Sequence, residues 1–397
     1  MEVQFLKKSF IFIAVVVFLS MCFTAMASAA GNFERKSNVN DNWGVGVRHH
    51  EHKEHSDNNS SGGLLKKGLY LSLGVLLVIC CASFASAGWK FENKIRIICP
   101  WSAGGASDET VRNMAKLLNV ILNQEVEVIN VPGREGCNAI EYVYKLEPDG
   151  YNFLLGTQSL FMQDIQANTD VRFYEEFTPV ARVVHAINVL TVSEKAAREN
   201  NFKTFSDLLT YVEKNPFEIS VGMLTSTGLD GVALKQTVEN LDILKVAYHS
   251  DTDLSAALVE GHIDLMIGGI SEIRDLIEDG EVIPLLTLSH KRLRRFPEVQ
   301  CAAEMGIDSY MGPARGIFAK KGTPQEAMDA LSEAIKKASR DPAWMKFLAD
   351  NTYDERVCFA DFRTYRKACE EDYKMLSEFL KNEGLLKRSY MGIVKSA

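Results

Sequence analysis

The stretch from Ile95 to Asp108 constrains this fold more than any other. Ile95-Arg96-Ile97-Ile98-Cys99 runs straight into Pro100-Trp101-Ser102-Ala103-Gly104-Gly105-Ala106-Ser107-Asp108. Branched apolar residues favour a strand, and paired glycines let the backbone turn where a Cβ would clash. Val111, Met114, Leu118 and Ile121 then recur at helical spacing, with Ser107 or Asp108 as the expected N-cap. Such a junction gathers unpaired backbone N–H groups and the positive end of a helix dipole at one point, which suits an anion. Taken alone, the same glycines also fit a plain connection between a strand and a helix.

The pattern continues along the chain. Val126–Ile129, Tyr151–Leu155, Val189–Val192, Ile219–Gly222, Lys245–Tyr248, Ile263–Ile267 and Arg315–Ala319 read as strands, with helical patterns among them. This alternation predicts βαβ units and parallel sheets covered on both faces. Thr204-Phe205-Ser206-Asp207 and Thr323-Pro324-Gln325-Glu326 read as capped helix starts. Two further turns are polar: Gly156-Thr157-Gln158-Ser159, and Thr225-Ser226-Thr227-Gly228-Leu229-Asp230-Gly231. Ligands of open α/β sheets bind outside the carboxyl ends of strands, and clefts between lobes are common sites.

Residues 1–87 are of a different kind. Lys7-Lys8 precedes an apolar run over 10–25, Lys66-Lys67 precedes another over 68–85, and both runs end in Ala-Ser-Ala. Basic start, apolar middle and small-residue exit make a secretory signal, present twice, at about residues 9–30 and 66–87. The favoured reading makes the second run the working signal, with a mature start at Gly88. A membrane hairpin is the alternative, against the tendency of lysine to stay cytoplasmic. Cys80 and Cys81 follow Val78-Ile79, a poor lipobox. His49, His50, His52 and His55 lie in a polar stretch with no apolar periodicity, expected to be a disordered, solvated linker.

The whole chain carries 44 basic and 52 acidic residues, a formal net charge of −8. That balance argues against a nucleic-acid partner, yet permits an anionic guest where local N–H donors dominate. Cys99, Cys137, Cys301, Cys358 and Cys369 follow residue 87 without a CxxC pair, so neither metal nor thioredoxin-like chemistry is expected. Cys99 reads as a small core residue, and Cys358 with Cys369 are near enough in sequence to pair. No phosphate-loop, GxSxG or HExxH motif occurs.

In order along the chain, these motifs resemble the solute receptors of tripartite tricarboxylate transporters, the Bug proteins. The resemblance rests on Pro100–Asp108, Asn130-Val131-Pro132-Gly133 with Gly136, and Pro148-Asp149-Gly150-Tyr151 with Leu155-Gly156-Thr157. Val246-Ala247-Tyr248, Gly261-His262-Ile263-Asp264-Leu265-Met266 and Ala319-Lys320-Lys321-Gly322-Thr323-Pro324 extend it across roughly residues 92–385. It implies an α/β type II periplasmic binding-protein fold of two doubly wound lobes, 88–190 plus 316–397 and 191–315, with a ligand cleft between them. It further implies a monomeric, periplasmic, non-enzymatic receptor that takes a small organic carboxylate and delivers it to integral membrane permease subunits, without a cofactor. Presenting the ligand to a two-component sensor kinase is the alternative output.

Carried over by residue, the first loop is Trp101, Ser102, Ala103, Gly104, Gly105, Ser107 and Asp108. Thr157 and Ser159 form its companion turn, and Thr225, Ser226, Thr227 and Gly228 face it from the other lobe. Tyr248 caps the pocket or packs into the core. Two departures from the family bear on ligand choice: Gly133-Arg134-Glu135-Gly136 carries two charges, and Tyr248 is followed by His249-Ser250. Arg134 and Arg315 are able to grip a carboxylate in bidentate fashion, although a protein partner or solvent is the expected role. Asp264 is expected to hydrogen-bond a neighbouring turn, and Lys291-Arg292-Leu293-Arg294-Arg295 to lie in solvent.

Overall fold

A computed structural model describes residues 89–224, 228–238, 241–248 and 251–388. The N-terminal extension, its two signal-like segments and its histidines lie outside the described residues, as do Thr225, Ser226, Thr227 and His249-Ser250.

One sheet contains β1 (Ile95–Cys99), β2 (Val126–Asn130), β3 (Asn152–Gly156), β4 (Phe177–His185) and β11 (Ala314–Lys320), in the order β2-β1-β3-β11-β4. The other contains β5 (Asn188–Ser193), β6 (Ser220–Met223), β7 (Leu244–Ala247), β8 (Leu265–Gly269), β9 (Val282–Thr287) and β10 (Gln300–Cys301), in the order β10-β9-β5-β8-β6-β7. Each sheet, with the helices on its faces, makes one lobe.

Period-two alternation feeds two cores per sheet. Ile95, Ile97 and Cys99 enter one apolar cluster with Phe153, Leu155, Ile317 and Ala319, whereas Ile98, Leu154 and Phe318 enter the cluster on the opposite face. In the second sheet, Leu190, Val192, Leu265 and Ile267 face one cluster while Val189 and Met266 face the other. The near-continuous apolar strands are therefore explained by burial on both sides.

The sheets are mixed, not wholly parallel. β1 pairs in parallel with β2 and β3, but β11 runs antiparallel to β3 and β4. β5 likewise runs antiparallel to β8 and β9. These are the strands next to the inter-lobe crossings, so each enters its sheet from the opposite end. Pro179 and Pro284 interrupt the strand patterns of β4 and β9, which is why sequence reading passed over both. The structure tolerates Pro179 because β4 ends its sheet, and Pro284 lies beside a register irregularity in the β5–β9 pairing.

Two crossings connect the lobes and run against each other. Ala186 N–H donates to Pro313 O at 2.9 Å and Asn188 N–H to Met311 O at 3.0 Å. Gly312 is required there, since a Cβ would lie 2.1 Å from the Ala186 carbonyl oxygen. Arg356 ties the crossings together by donating to the carbonyls of Ala186 (3.1 Å), Leu288 (2.7 Å) and Tyr310 (2.8 Å). Its Nη1 also lies 3.1 Å from His185 Nε2. Burial, and then the Arg356 charge, push the His185 imidazole down to about 3, so it is neutral near pH 7 and accepts from the guanidinium.

Candidate functional site

The first turn is built around a carboxylate. The helix Ala106–Leu122 is capped by Gly105 with no side-chain hydrogen bond, in place of the expected Ser107 or Asp108 cap. Asp108 instead sits inside the first helical turn and reaches back. Its Oδ2 accepts from Gly104 N–H at 3.0 Å and its Oδ1 from Asn130 Nδ2 at 2.8 Å. Arg112 Nε donates to both oxygens, at 3.0 and 2.9 Å. Asn130 Nδ2 also donates to Trp101 O at 2.9 Å, while Asn130 Oδ1 accepts from Arg112 Nη2 at 2.7 Å. Burial works to raise the Asp108 carboxyl, but donors from Arg112, Gly104 and Asn130 outweigh it and hold the group below the ordinary carboxylate range. Gly104 has φ +85°, a conformation that favours glycine.

Ser102, Ala103, Gly104 and Gly105 are exposed on this turn, while Trp101 is half-buried against the first core. Ser107 Oγ accepts from Arg315 Nε at 3.0 Å. A hydroxyl that accepts from a guanidinium keeps its own proton to donate.

The companion turn is adjacent because β1 and β3 are parallel neighbours, pairing Ile98 with Leu154. Thr157 caps the helix Gln158–Ile165, its Oγ1 accepting from Ser159 N–H at 3.3 Å. Between these predicted residues lies one that sequence reading missed. Gln158 is buried, and its Oε1 accepts from Ala314 N–H at 2.8 Å, tying the turn to the returning crossing. No local signal in the sequence links positions 158 and 314.

From the second lobe, β6 leads towards Gly228 and the helix Leu229–Val238. Gly228 is buried, and its carbonyl accepts from Val232 N–H at 3.1 Å. Val232, fully buried, joins the first-lobe cluster that contains Leu160, Phe161 and Tyr365. Lys235 pairs with Glu383, and Ser309 Oγ donates to Gln236 Oε1 at 2.8 Å. The helix that follows Gly228 is thus packed against the first lobe. Tyr248 N–H donates to Met223 O at 2.9 Å, and its partly buried ring packs on the second-lobe core with Leu224.

Charged residues noted in the sequence have protein partners. Arg134 bonds Glu141 (3.0 Å) and Asn168 O (2.7 Å) beside a surface cavity of about 410 Å³. Asp264 Oδ2 accepts from Ser220 N–H (2.8 Å) and Oγ (2.7 Å), a structural role, as expected, but at the start of strand β6 instead of at a turn. The basic run is not simply solvated: Arg292 pairs with Glu304, Arg294 with Asp354 and Glu355, and Arg295 with Glu278. Arg315 reaches across the lobes to Glu272 at 3.0 Å, a partner 43 residues away that spacing alone does not reveal. The five described cysteines are all buried and unpaired, so Cys358 and Cys369 form no disulfide. Burial pushes the thiols of Cys99 and Cys358 up to about 11, which removes thiolate chemistry near neutral pH.

Two mixed β-sheets, each with helices on its faces, joined by paired crossings, define a two-lobed fold. The family model for the tripartite tricarboxylate transporter family receptor matches residues 110–385, and the chain belongs to that family. It is 28% identical over 284 residues to a UPF0065 protein of Bordetella pertussis, covering 70% of this chain and 86% of the relative. Similarity to the UPF0065 protein in the gbd 5′ region of Cupriavidus necator is 26% over 331 residues, covering 82% and 98%. Among solved structures, the periplasmic binding protein BugD superposes with a TM-score of 0.62 at 21% identity, over 75% of this chain and all of that one. MatC of Rhodopseudomonas palustris with bound malate gives 0.61 at 21% identity, over 72% and 99%. At these identities the two structures establish the fold.

Proposed function

We propose that this chain is a non-catalytic, extracytoplasmic receptor that shuts its lobes on a small organic carboxylate. It hands that ligand to the permease subunits of a tripartite tricarboxylate-type transporter. The observation that supports this reading most directly is that the helix after Gly228, from the second lobe, enters the same apolar cluster as the helix capped by Thr157, through Val232 and Leu160. Gly105 begins a seventeen-residue helix with no side-chain cap, leaving first-turn amides for an anion. Ser107 and Thr157 hydroxyls each accept one hydrogen bond and retain a proton to donate. Recognition would rest on uncharged donors closed off from water, where such bonds gain strength.

Export through the second signal-like segment, and a working monomer, belong to the same reading. Among the described residues no helix is long and apolar enough to cross a membrane.

The test is a thermal-shift panel on refolded, ligand-free protein, including malate and adipate. A ligand at about 100 times its Kd adds about 2.7 kcal/mol to stability, so binding raises Tm in a concentration-dependent way, and NMR of the recovered acid should show it chemically unchanged. A broad carboxylate panel with no shift overturns the proposal.

A further inference from the structure

A ring of polar side chains crosses between the lobes next to the first turn. Arg315, on β11 of the first lobe, uses all three guanidinium nitrogens: Nε to Ser107 Oγ (3.0 Å), Nη1 to Tyr353 Oη (3.2 Å) and Nη2 to Glu272 Oε1 (3.0 Å). Glu272 belongs to the helix Ile270–Glu278 of the second lobe, and its other oxygen accepts from Ser271 Oγ at 2.8 Å. Tyr353 Oη completes the ring by donating to Ser271 Oγ at 2.9 Å. The side chains of Arg315 and Glu272 are only 5% and 14% exposed. Gly269 makes the arrangement possible, because a Cβ there would lie 2.1 Å from Glu272 Oε2.

We propose that Glu272 is a closing latch: it reaches from the second lobe to Arg315, holds the lobes shut, and fixes Arg315 against the Ser107 hydroxyl that faces the guest. A buried ion pair repays its desolvation only when its remaining polar atoms are satisfied, and here each guanidinium nitrogen and each carboxylate oxygen has a partner. Removing Glu272 leaves the Arg315 charge buried without that carboxylate, and removing Arg315 leaves the Glu272 charge buried without its guanidinium. That penalty falls on the shut arrangement alone, because opening lets water reach the orphaned group. Glu272 therefore biases the lobes towards closure and couples closure to the orientation of a ligand-facing donor. This deepens the receptor reading by naming how its site is regulated, while its test needs no ligand.

The measurement is amide hydrogen exchange by mass spectrometry on the full chain after ligand removal by refolding, for wild type, Glu272→Gln and Gly269→Ala. Glu272→Gln removes the charge while keeping the shape. Gly269→Ala displaces the carboxylate without altering any charge, and the group that must move is the flexible end of a side chain. Both variants should speed exchange in segments 101–108 and 270–278 together, by about tenfold if the open-to-shut ratio rises by that factor. The helix Gln325–Ala338, in the first-lobe core, should exchange as in wild type and so reports an intact fold. Unchanged exchange at 101–108 in both variants overturns the latch, as does a rise confined to 270–278. A carboxylate panel without a thermal shift would defeat the receptor reading and leave this result standing.

Discussion

The turn at Gly104 in the first lobe and the strand β6 in the second are held by different forces. The first is a knot of charge and hydrogen bonds, in which Asp108 ties Gly104, Arg112 and Asn130. The second rests on close packing: a Cβ on Gly222 would meet Ile263 Cδ1 at 2.4 Å, Leu254 Cδ1 at 2.5 Å and Tyr248 Cε2 at 3.3 Å. Local structure is therefore fixed by electrostatics in the first lobe's turn and by shape in the second lobe's strand. The first side should respond to pH, and the second should not.

The strongest way to break this contrast is Asp108→Ala. Loss of the donors' common acceptor should lower stability by about 3 kcal/mol at neutral pH, read by urea denaturation. Because the folded Asp108 carboxyl lies below its ordinary value of 3.8, its contribution is complete above that pH and is lost as pH falls through the folded value. Wild type and variant should then converge in acid. A constant gap down to strongly acidic pH would contradict the electrostatic account.

Gly222→Ala tests the other side. Overpacking there should cost about 2 kcal/mol, equally at pH 5 and pH 8. A pH-dependent loss would mean that β6 also relies on titrating groups.

A smaller effect of opposite sign sharpens the comparison beneath the companion turn. Burial raises Asp372 from 3.8 to about 6, although the Gln158 hydrogen bond and the Arg182 charge both lower it. A raised carboxyl opposes folding when ionised: the penalty is absent below pH 3.8 and complete above about pH 6. Asp372→Asn should therefore stabilise the protein by about 1–2 kcal/mol at pH 7.5 and leave it unchanged in acid, as followed by thermal melts. Smallest is Thr157→Ala, which removes the cap of the helix Gln158–Ile165 and should cost about 1 kcal/mol in the same melts, with little pH dependence.

Much of this organisation was legible in the chain. β1, the glycine turn and the apolar face of Val111, Met114 and Leu118 follow from local patterns, and Thr204 with Asp207 forms the capping box its spacing announces. What escaped was non-local. Asp108 has the residue type of a helix cap but acts as the centre of a loop, because Asn130 arrives from the end of β2, 22 residues away, to join Arg112 of the same helix. The reversed directions of β5 and β11 depend on where the chain re-enters each sheet, which no window of residues records. Arg315 and Glu272 show the same limit, since side chains 43 positions apart meet only after both lobes have formed.

The crossing at Gly312 has a mechanical consequence. With the Ala186 oxygen occupying the space a side chain would fill, and Arg356 gripping three carbonyls around it, the connecting segments behave as a single pin that allows swivelling and resists sliding. Points far from that pin sweep a longer arc than points near it. A bulky molecule wedged between the jaws would stop the swing early, so the final angle would serve as a ruler for the size of what is held.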